Sequence, residues 1–267
     1  MLLHLRHGGD APGRNLLARR GRELVGYAHL DVTDPVEGAS AELAVAPAAR
    51  HRGTGGLLVD AVLAQSPGGR LRLWAHGQHP GAGRLATERG FDSSRVLWQM
   101  RRSLLTPLPS AALPAGVTVR TFQPGVDEEA WVAVNNAAFA GHPDQGRWTV
   151  EDLLMREAEP WFDAAGFFLA EQDARLVGFH WTKVHGEDRS TGHGHPAIGE
   201  VYVVGVHPDA AGQGLGPVLT LVGLRHLRAA GLASVLLYVD ESNERAMRVY
   251  ERLGFVRWAA DVSYSRG

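Results

Sequence analysis

The sequence predicts an α/β chain made of two copies of one domain. Three observations carry this. Four short words recur in the same order in both halves. Leu24-Val25-Gly26-Tyr27 returns as Leu176-Val177-Gly178-Phe179, and Val45-Ala46-Pro47-Ala48-Ala49 as Val206-His207-Pro208-Asp209-Ala210. Arg52-Gly53-Thr54-Gly55 returns as Gln213-Gly214-Leu215-Gly216, and Glu88-Arg89-Gly90-Phe91 as Arg252-Leu253-Gly254-Phe255. Between the copies, the stretch from Leu105 to Pro114 holds three prolines, which suits a linker. The length of 267 residues leaves room for two modest domains. The expected boundaries are 1–104, a linker over 105–116, and 117–267.

In the first copy, Leu2 to Leu17 reads as the end of a helix followed by a loop. Strands follow over Glu23–Leu30 and Ala41–Val45, the second broken at Pro47. Leu57, Leu58, Val59, Val62 and Leu63 have helical spacing, and Ser66-Pro67-Gly68-Gly69 ends that helix. Leu71–Ala75 is a strand, Gly83–Arg89 a short helix, and Val96–Arg101 a last strand. The second copy opens with a strand at Val117–Arg120, a helix from about Asp127 through Ala138, and another over Val150–Glu159. Nothing in the first copy corresponds to these. It is expected to lack its initial strand and helix, with the natural start upstream of Met1, because their loss would expose apolar sheet surface.

Composition narrows the function classes. Apolar residues make up 45 %, enough for a sizeable core, and a formal charge of −2 gives no reason to expect nucleic acid or membrane as a partner. With no cysteine, a disulfide framework, a thiolate metal site and a cysteine nucleophile are all excluded. No apolar stretch reaches membrane-spanning length and no signal-peptide core is present, so a cytoplasmic location is expected. His180, His185, His193, His195 and His207 match no compact ligand spacing, so no metal site is expected.

The chemistry concentrates between Gly199 and Gly216. An apolar β-branched run, read as a buried strand, breaks at His207-Pro208. Gly212, Gly214 and Gly216 then open onto a helix expected to start at Pro217. Such a turn presents free N–H groups and the positive end of a helix dipole. On the residues alone it is either an anion cradle or a tight turn with no ligand. Glu200 opens the strand and, by simple alternation, shares a face with Tyr202 and Val204. It reads either as a solvated strand end or as a general base. Asn243 caps a helix over Glu244–Leu253 that Gly254 stops, with Ala246, Met247, Tyr250 and Leu253 on one face. Tyr250 is either a core residue or a proton donor.

The strand, Gly-x-Gly turn and helix resemble the acetyl-CoA loop of the GCN5-related N-acetyltransferases. Where that family usually carries Gln or Arg, Ala211 fills one slot and Gln213 a later one. Longer words resemble the mycothiol synthase family, whose members hold two such domains. These words are Asn135 to Thr149, Gly178 to His185, Gly199 to Val203, Leu236 to Asp240, Trp74-Ala75-His76-Gly77 and Gln99 to Arg102. The resemblance implies tandem acetyltransferase-like domains, each a mixed, mostly antiparallel sheet flanked by helices. It implies acetyl-CoA as cosubstrate and acetylation of the cysteinyl amine of cysteinyl-glucosaminyl-inositol, a small thiol-bearing amino sugar. Glu200 then corresponds to the family's general base and Tyr250 to its general acid. Val204, Gly205 and Val206 correspond to the strand beside the pantetheine arm. Ala211, Gly212, Gln213, Gly214, Leu215, Gly216 and Pro217 correspond to the pyrophosphate loop. Asn243, Glu244, Arg245, Ala246, Met247 and Arg248 correspond to the segment beside the cofactor thiol. Asp144, Lys183, Glu200 and Tyr238 correspond to substrate contacts. In the first copy, Leu43, Ala44, Val45, His51, Arg52, Gly53, Thr54, Gly55 and Gly56 correspond to a second cofactor site. The family also has a substrate-binding Glu near its N-terminus, for which no match is found.

The repeat supplies an internal control. Setting Gly214 on Gly53 places Ala39 opposite Glu200 and leaves Glu42 pointing to the other face. Setting Gly254 on Gly90 places Ala86 opposite Tyr250 and His79 opposite Asn243. The first copy is therefore expected to bind a coenzyme A moiety without turnover. The whole reads as a monomeric acetyltransferase. The rival readings are an acetyltransferase for another amine or a protein N-terminus, and an acyl-CoA-binding regulatory module.

Overall fold

The computed structural model describes residues 13–32, 39–77, 79–141, 146–186 and 196–267. In chain order these form β1 (Arg14–Arg20), β2 (Glu23–Asp31), β3 (Ser40–Val45), α1 (Thr54–Leu63), β4 (Leu71–Ala75), α2 (Pro80–Glu88) and β5 (Asp92–Ser103). Then come β6 (Val117–Thr121), α3 (Glu128–Ala138), α4 (Val150–Glu157), β7 (Phe167–Gln172), β8 (Arg175–His185) and β9 (Ile198–Val206). The chain ends with α5 (Leu215–Ala229), β10 (Ser234–Asp240), α6 (Glu244–Arg252) and β11 (Val256–Arg266). Two compact units result. One gathers the described residues up to Trp98 with Asp240–Ser242 and Ala259–Gly267; the other takes Gln99–Val239 and Asn243–Trp258. Grouping in space thus differs from the repeat boundaries at 104 and 117. The end of β11 follows the second copy in sequence, yet its Val262–Arg266 pairs antiparallel with β4 of the first unit.

In the first unit, β1, β2 and β3 form an antiparallel meander, and β4 runs parallel to β3. The strand at Arg14–Arg20 corrects the helix-plus-loop expectation for Arg14 to Leu17; residues 2–12 lie outside the described ones. The reason is a two-residue period. Leu16 and Ala18 turn inward with Ala28, Leu30 and Ala41 against Leu58, Val59 and Val62 of α1. The opposite face carries Asn15, Tyr27, His29, Ser40 and Glu42, with Asn15 Oδ1 accepting from the Tyr27 hydroxyl at 2.7 Å. Leu17, which is exposed, and Ala44 share that face, so it is mixed, with polar side chains outnumbering apolar ones.

In the second unit, β6 to β9 are antiparallel and β10 pairs parallel with β9. The strand β7 has no counterpart among the sequence expectations. It joins β8 through Asp173 and Ala174, both at positive φ (50° and 59°), a hairpin turn that usually announces itself with Asn-Gly or Asp-Gly. On one face, Trp131 of α3 meets Phe167, Phe179 and Trp181 edge-on at 5.1–5.8 Å between centroids. On the other, α5 packs on β8 and β9.

That second contact is unusually close. A Cβ at Gly178 of β8 would lie 3.0 Å from Leu219, and in the first unit a Cβ at Gly26 would lie 3.0 Å from Leu58. The recurring glycine is thus the place where each sheet lets its helix approach. On α5, a Cβ at Gly223 would lie 2.2–2.6 Å from three ring atoms of His180. His180 is fully buried, and its Nδ1 bonds the Leu219 carbonyl at 2.7 Å, which requires Nδ1 to carry the proton. Burial holds its pKa down to about 4.

Two outcomes follow from this packing. Gly223→Ala should destabilise the second unit by about 3 kcal/mol, the upper end for overpacking, read as a shift in denaturant midpoint. The unfolded chain binds a proton at His180 below about 6.5, whereas the folded chain resists it down to about 4. Between these values stability must fall as pH falls, by up to about 3 kcal/mol from this group, and this contribution is flat above the window. An NMR titration in which the His180 ring charges at an ordinary pH would contradict this.

Candidate active site

Parallel pairing between β9 and β10 covers only Val235 with Gly199 and Leu236 with Glu200. Beyond Glu200 the two strands have no register partners in each other, and β9 continues to Val206. Against its free edge lies a groove of about 350 Å³. Its walls are Val204, Gly205 and Val206 from β9, the turn with Gly212, Gly214, Leu215, Gly216 and Pro217, and Asn243, Arg245, Ala246 and Tyr250 around α6. Ala210, Ala211, Thr220 and Val249 complete it.

The turn works because Gly212 and Gly214 hold φ of 86° and 80°, a region only glycine enters freely. Gly214 is the N-cap and α5 begins at Leu215, two residues before the expected start. Pro217 is therefore the third helical residue. It still sits in the first turn, where its missing N–H has no intrahelical partner. The first turn contains no acidic residue, so the N-terminal N–H groups face the groove without a competing anion.

Asn243 caps α6 by accepting from the Ala246 N–H at 3.1 Å, as expected. Tyr250 sits two turns on, its ring edge-on to Phe255, and burial pushes its hydroxyl up to about 12. It stays protonated at neutral pH. Glu244 and Arg248 pair with each other at 2.9 Å on an exposed face and do not line the groove, nor do Gln213 and the buried Met247.

Register corrects the expected facing of Glu200. Trp181 pairs with Val203 but Thr182 with Val201, so Tyr202 is an extra residue, a β-bulge. Glu200 shares the face of its partner Lys183 and of Trp181 and Val203, whereas Val204 turns to the α5 side with Leu219. The expected sharing of a face with Tyr202 holds, since Tyr202 packs against Trp181 on that side, whereas the sharing with Val204 fails because of that one extra residue. The bulge also shifts the internal control. The first unit has no bulge at this point, and Asp31 pairs with Ser40 as Lys183 pairs with Glu200. Ser40, not Ala39, stands opposite Glu200, and Glu42 lies on the same face as Ser40 rather than the other.

Glu200 is 8 % exposed, and its Oε2 lies 2.6 Å from His185 Nε2. Lys183 holds its Nζ 4.2 Å above the Trp161 ring and 5.2 Å from that of Tyr202. Tyr238 shares the face of Leu236, the register partner of Glu200, and its hydroxyl accepts from Gln99 at 2.8 Å. Glu200, Lys183 and Tyr238 are thereby brought to one face, while Asp144 lies outside the described residues. Sequence reasoning gave no roles to His185, Trp161 or Arg156. Their importance rests on contacts across strands and helices, which spacing does not encode.

The first unit repeats the groove. Here β3 and β4 pair only at Ser40–Arg72 and Ala41–Leu73, and a cavity of about 390 Å³ opens beside Leu43, Ala44 and Val45. His51, Gly55, Trp74, His76, His79, Ala86 and Tyr264 also line it. His79 caps α2 as Asn243 caps α6, and Ala86 stands where Tyr250 does. Arg52, Gly53, Thr54 and Gly56 do not line it; a Cβ at Gly56 would instead meet the Arg89 guanidinium at 2.2 Å.

Comparison with known proteins agrees with this geometry. The model of the acetyltransferase (GNAT) family matches residues 3–91 and again 128–255. The mycothiol acetyltransferase of Acidothermus cellulolyticus is 56 % identical over 276 residues, covering 100 % of this chain and 84 % of its own. That of Thermobispora bispora is 57 % identical over 265 residues, covering 99 % and 88 %. Among solved structures, a GCN5-related N-acetyltransferase from Sphaerobacter thermophilus superposes with a TM-score of 0.74 at 26 % identity, covering 99 % of this chain and 84 % of that one. A tandem GNAT protein from the clavulanic acid biosynthesis pathway gives 0.71 at 20 %, covering 96 % and 83 %, and speaks to the fold alone. With two matched regions, two like grooves and full-length relatives above half identity, the chain belongs to the acetyltransferase (GNAT) family, among the mycothiol acetyltransferases.

Proposed function

We propose that this chain acetylates the cysteinyl amine of cysteinyl-glucosaminyl-inositol with acetyl-CoA, and that the second unit carries the reaction. The observation that supports this most is the groove in which a glycine turn at a helix N-terminus and Tyr250 share one wall system. The α5 N-terminus and the residues 211–217 would hold the pyrophosphate, and the free edge of Val204–Val206 would pair with the pantetheine amides. Arg245 adds a cation at the rim.

Glu200 takes a proton from the substrate ammonium, since only the neutral amine can attack the thioester carbonyl. Backbone N–H groups of the unpaired β9 edge are available to the oxyanion. Tyr250, protonated at neutral pH, gives its proton to the leaving thiolate and regains one from the amide nitrogen. Lys183, Asp144 and Tyr238 would hold the hydroxyl-rich sugar through polar and charge-assisted hydrogen bonds. Transfer is direct, because the 267 residues include no cysteine to carry an acetyl group. The first unit keeps the cradle but has Ala86 and Ser40 where the second has Tyr250 and Glu200, so it would hold a coenzyme A moiety without turnover.

Initial rates should show intersecting lines, not the parallel lines of a ping-pong route. Glu200→Gln and Tyr250→Phe should each lower kcat by about 10²-fold or more, with acetyl-CoA affinity within about twofold of wild type. An unchanged kcat in either variant removes that residue from its role.

A further inference from the structure

The net reaction releases a proton. The ammonium gives up two, and the departing thiol keeps one. The remaining proton arrives on Glu200, whose side chain is 11 % exposed and must be emptied before the next turnover. The neighbour best placed to empty it is His185. Lys183 is the direct register partner of Glu200, and His185, two residues further along β8, is its diagonal neighbour on the same face. Its Nε2 lies 2.6 Å from Glu200 Oε2, and its side chain is 41 % exposed. The pair thus runs from a buried carboxylate oxygen to a ring that reaches solvent.

We propose that His185 is the positioning residue and proton outlet for Glu200. This rests on the assignment of Glu200 as the base. At rest Glu200 is a carboxylate and accepts the substrate's proton, breaking an N–H bond and forming an O–H bond. The acid then passes that proton to Nε2 of the Nδ1–H tautomer of His185; the imidazolium loses its Nδ1 proton to water, and exchange of the remaining ring proton with water returns that tautomer, which restores both groups. No oxidant, reductant or further reactant is needed. The other charged or titratable groups around this pair, among the described residues, are Lys183, Tyr202, Arg156, Glu159 and Tyr238, whose hydroxyl already accepts from Gln99. Lys183 and Arg156 are committed to aromatic faces, over Trp161 and Trp148, and Arg156 Nε also donates to the Tyr202 hydroxyl at 3.3 Å. Tyr202 is kept protonated by burial. Glu159 is itself buried. None of these offers Glu200 a neutral, solvent-reaching acceptor.

His185→Gln and His185→Ala separate this role from a structural one. Gln can still donate a hydrogen bond to Glu200 but cannot carry a proton. The Gln variant should lose about tenfold in kcat at neutral pH, with KM for both substrates within about twofold. Added imidazole should restore the rate of the Ala variant and do nothing for Glu200→Gln. A Gln variant with wild-type kcat overturns the proposal, as does an Ala variant that is folded, slow and deaf to imidazole. If Glu200→Gln itself retains wild-type kcat, the base assignment falls first, and the two failures are thereby told apart.

Discussion

Two parallel strands that pair for two residues and then part company set everything else. Once pairing between β9 and β10 stops at Glu200 and Leu236, the backbone of Val201–Val206 has an edge with no partner in β10. An unpaired edge inside a sheet is normally a liability. Here it becomes a wall of a groove, provided the helix that follows is held close enough to form another wall. The glycines at 178 and 223 meet that condition by letting α5 lie against β8 over a neutral His180. The turn of Gly212 and Gly214 then delivers the N-terminus of α5 to the groove.

The first unit shows which parts of this arrangement are architecture and which are chemistry. It repeats the short parallel pairing, the close glycine at 26, the left-handed N-cap at Gly53 and the side-chain cap at the start of the last helix. It does not repeat the bulge, and it has Ser40 and Ala86 at the positions of Glu200 and Tyr250; its own carboxylate on that face, Glu42, and the phenol in its groove wall, Tyr264, stand elsewhere. A groove beside a short parallel pairing is therefore a property of the fold as both copies build it. In the proposed mechanism, proton transfer rests on three local differences from the first unit: one extra residue at Tyr202, a Glu at 200 and a Tyr at 250.

Much of the fold was legible in the sequence. The recurring words mark strand, turn and helix cap, where backbone geometry demands particular residues, so they announce structure directly. Leu24-Val25-Gly26-Tyr27 and Asn243 before α6 are examples. What stayed hidden was geometry that leaves no mark on spacing. The β-bulge at Tyr202 shifts Glu200 to the face of Val203, and a count of residues along a strand has no means to detect it. The β7–β8 hairpin turns on Asp173-Ala174, whose second residue is a poor advertisement for a left-handed conformation. The exchange of β11 into the first unit depends on pairing across 187 residues, from Ala75 to Val262. Within the site, Tyr250 and the glycine turn could be read from local pattern, but the link of His185 to Glu200 could not.

The measurement that tests this account most directly is incubation with acetyl-CoA and cysteinyl-glucosaminyl-inositol, with the product identified by mass and the acetyl group located by fragmentation. The substrate carries its own thiol, so mass detection is preferable to a thiol-reactive dye. The account predicts catalytic formation of a product acetylated on the cysteinyl nitrogen. No acetylated product, from protein that binds acetyl-CoA tightly, would contradict it and leave only an acyl-CoA-binding fold.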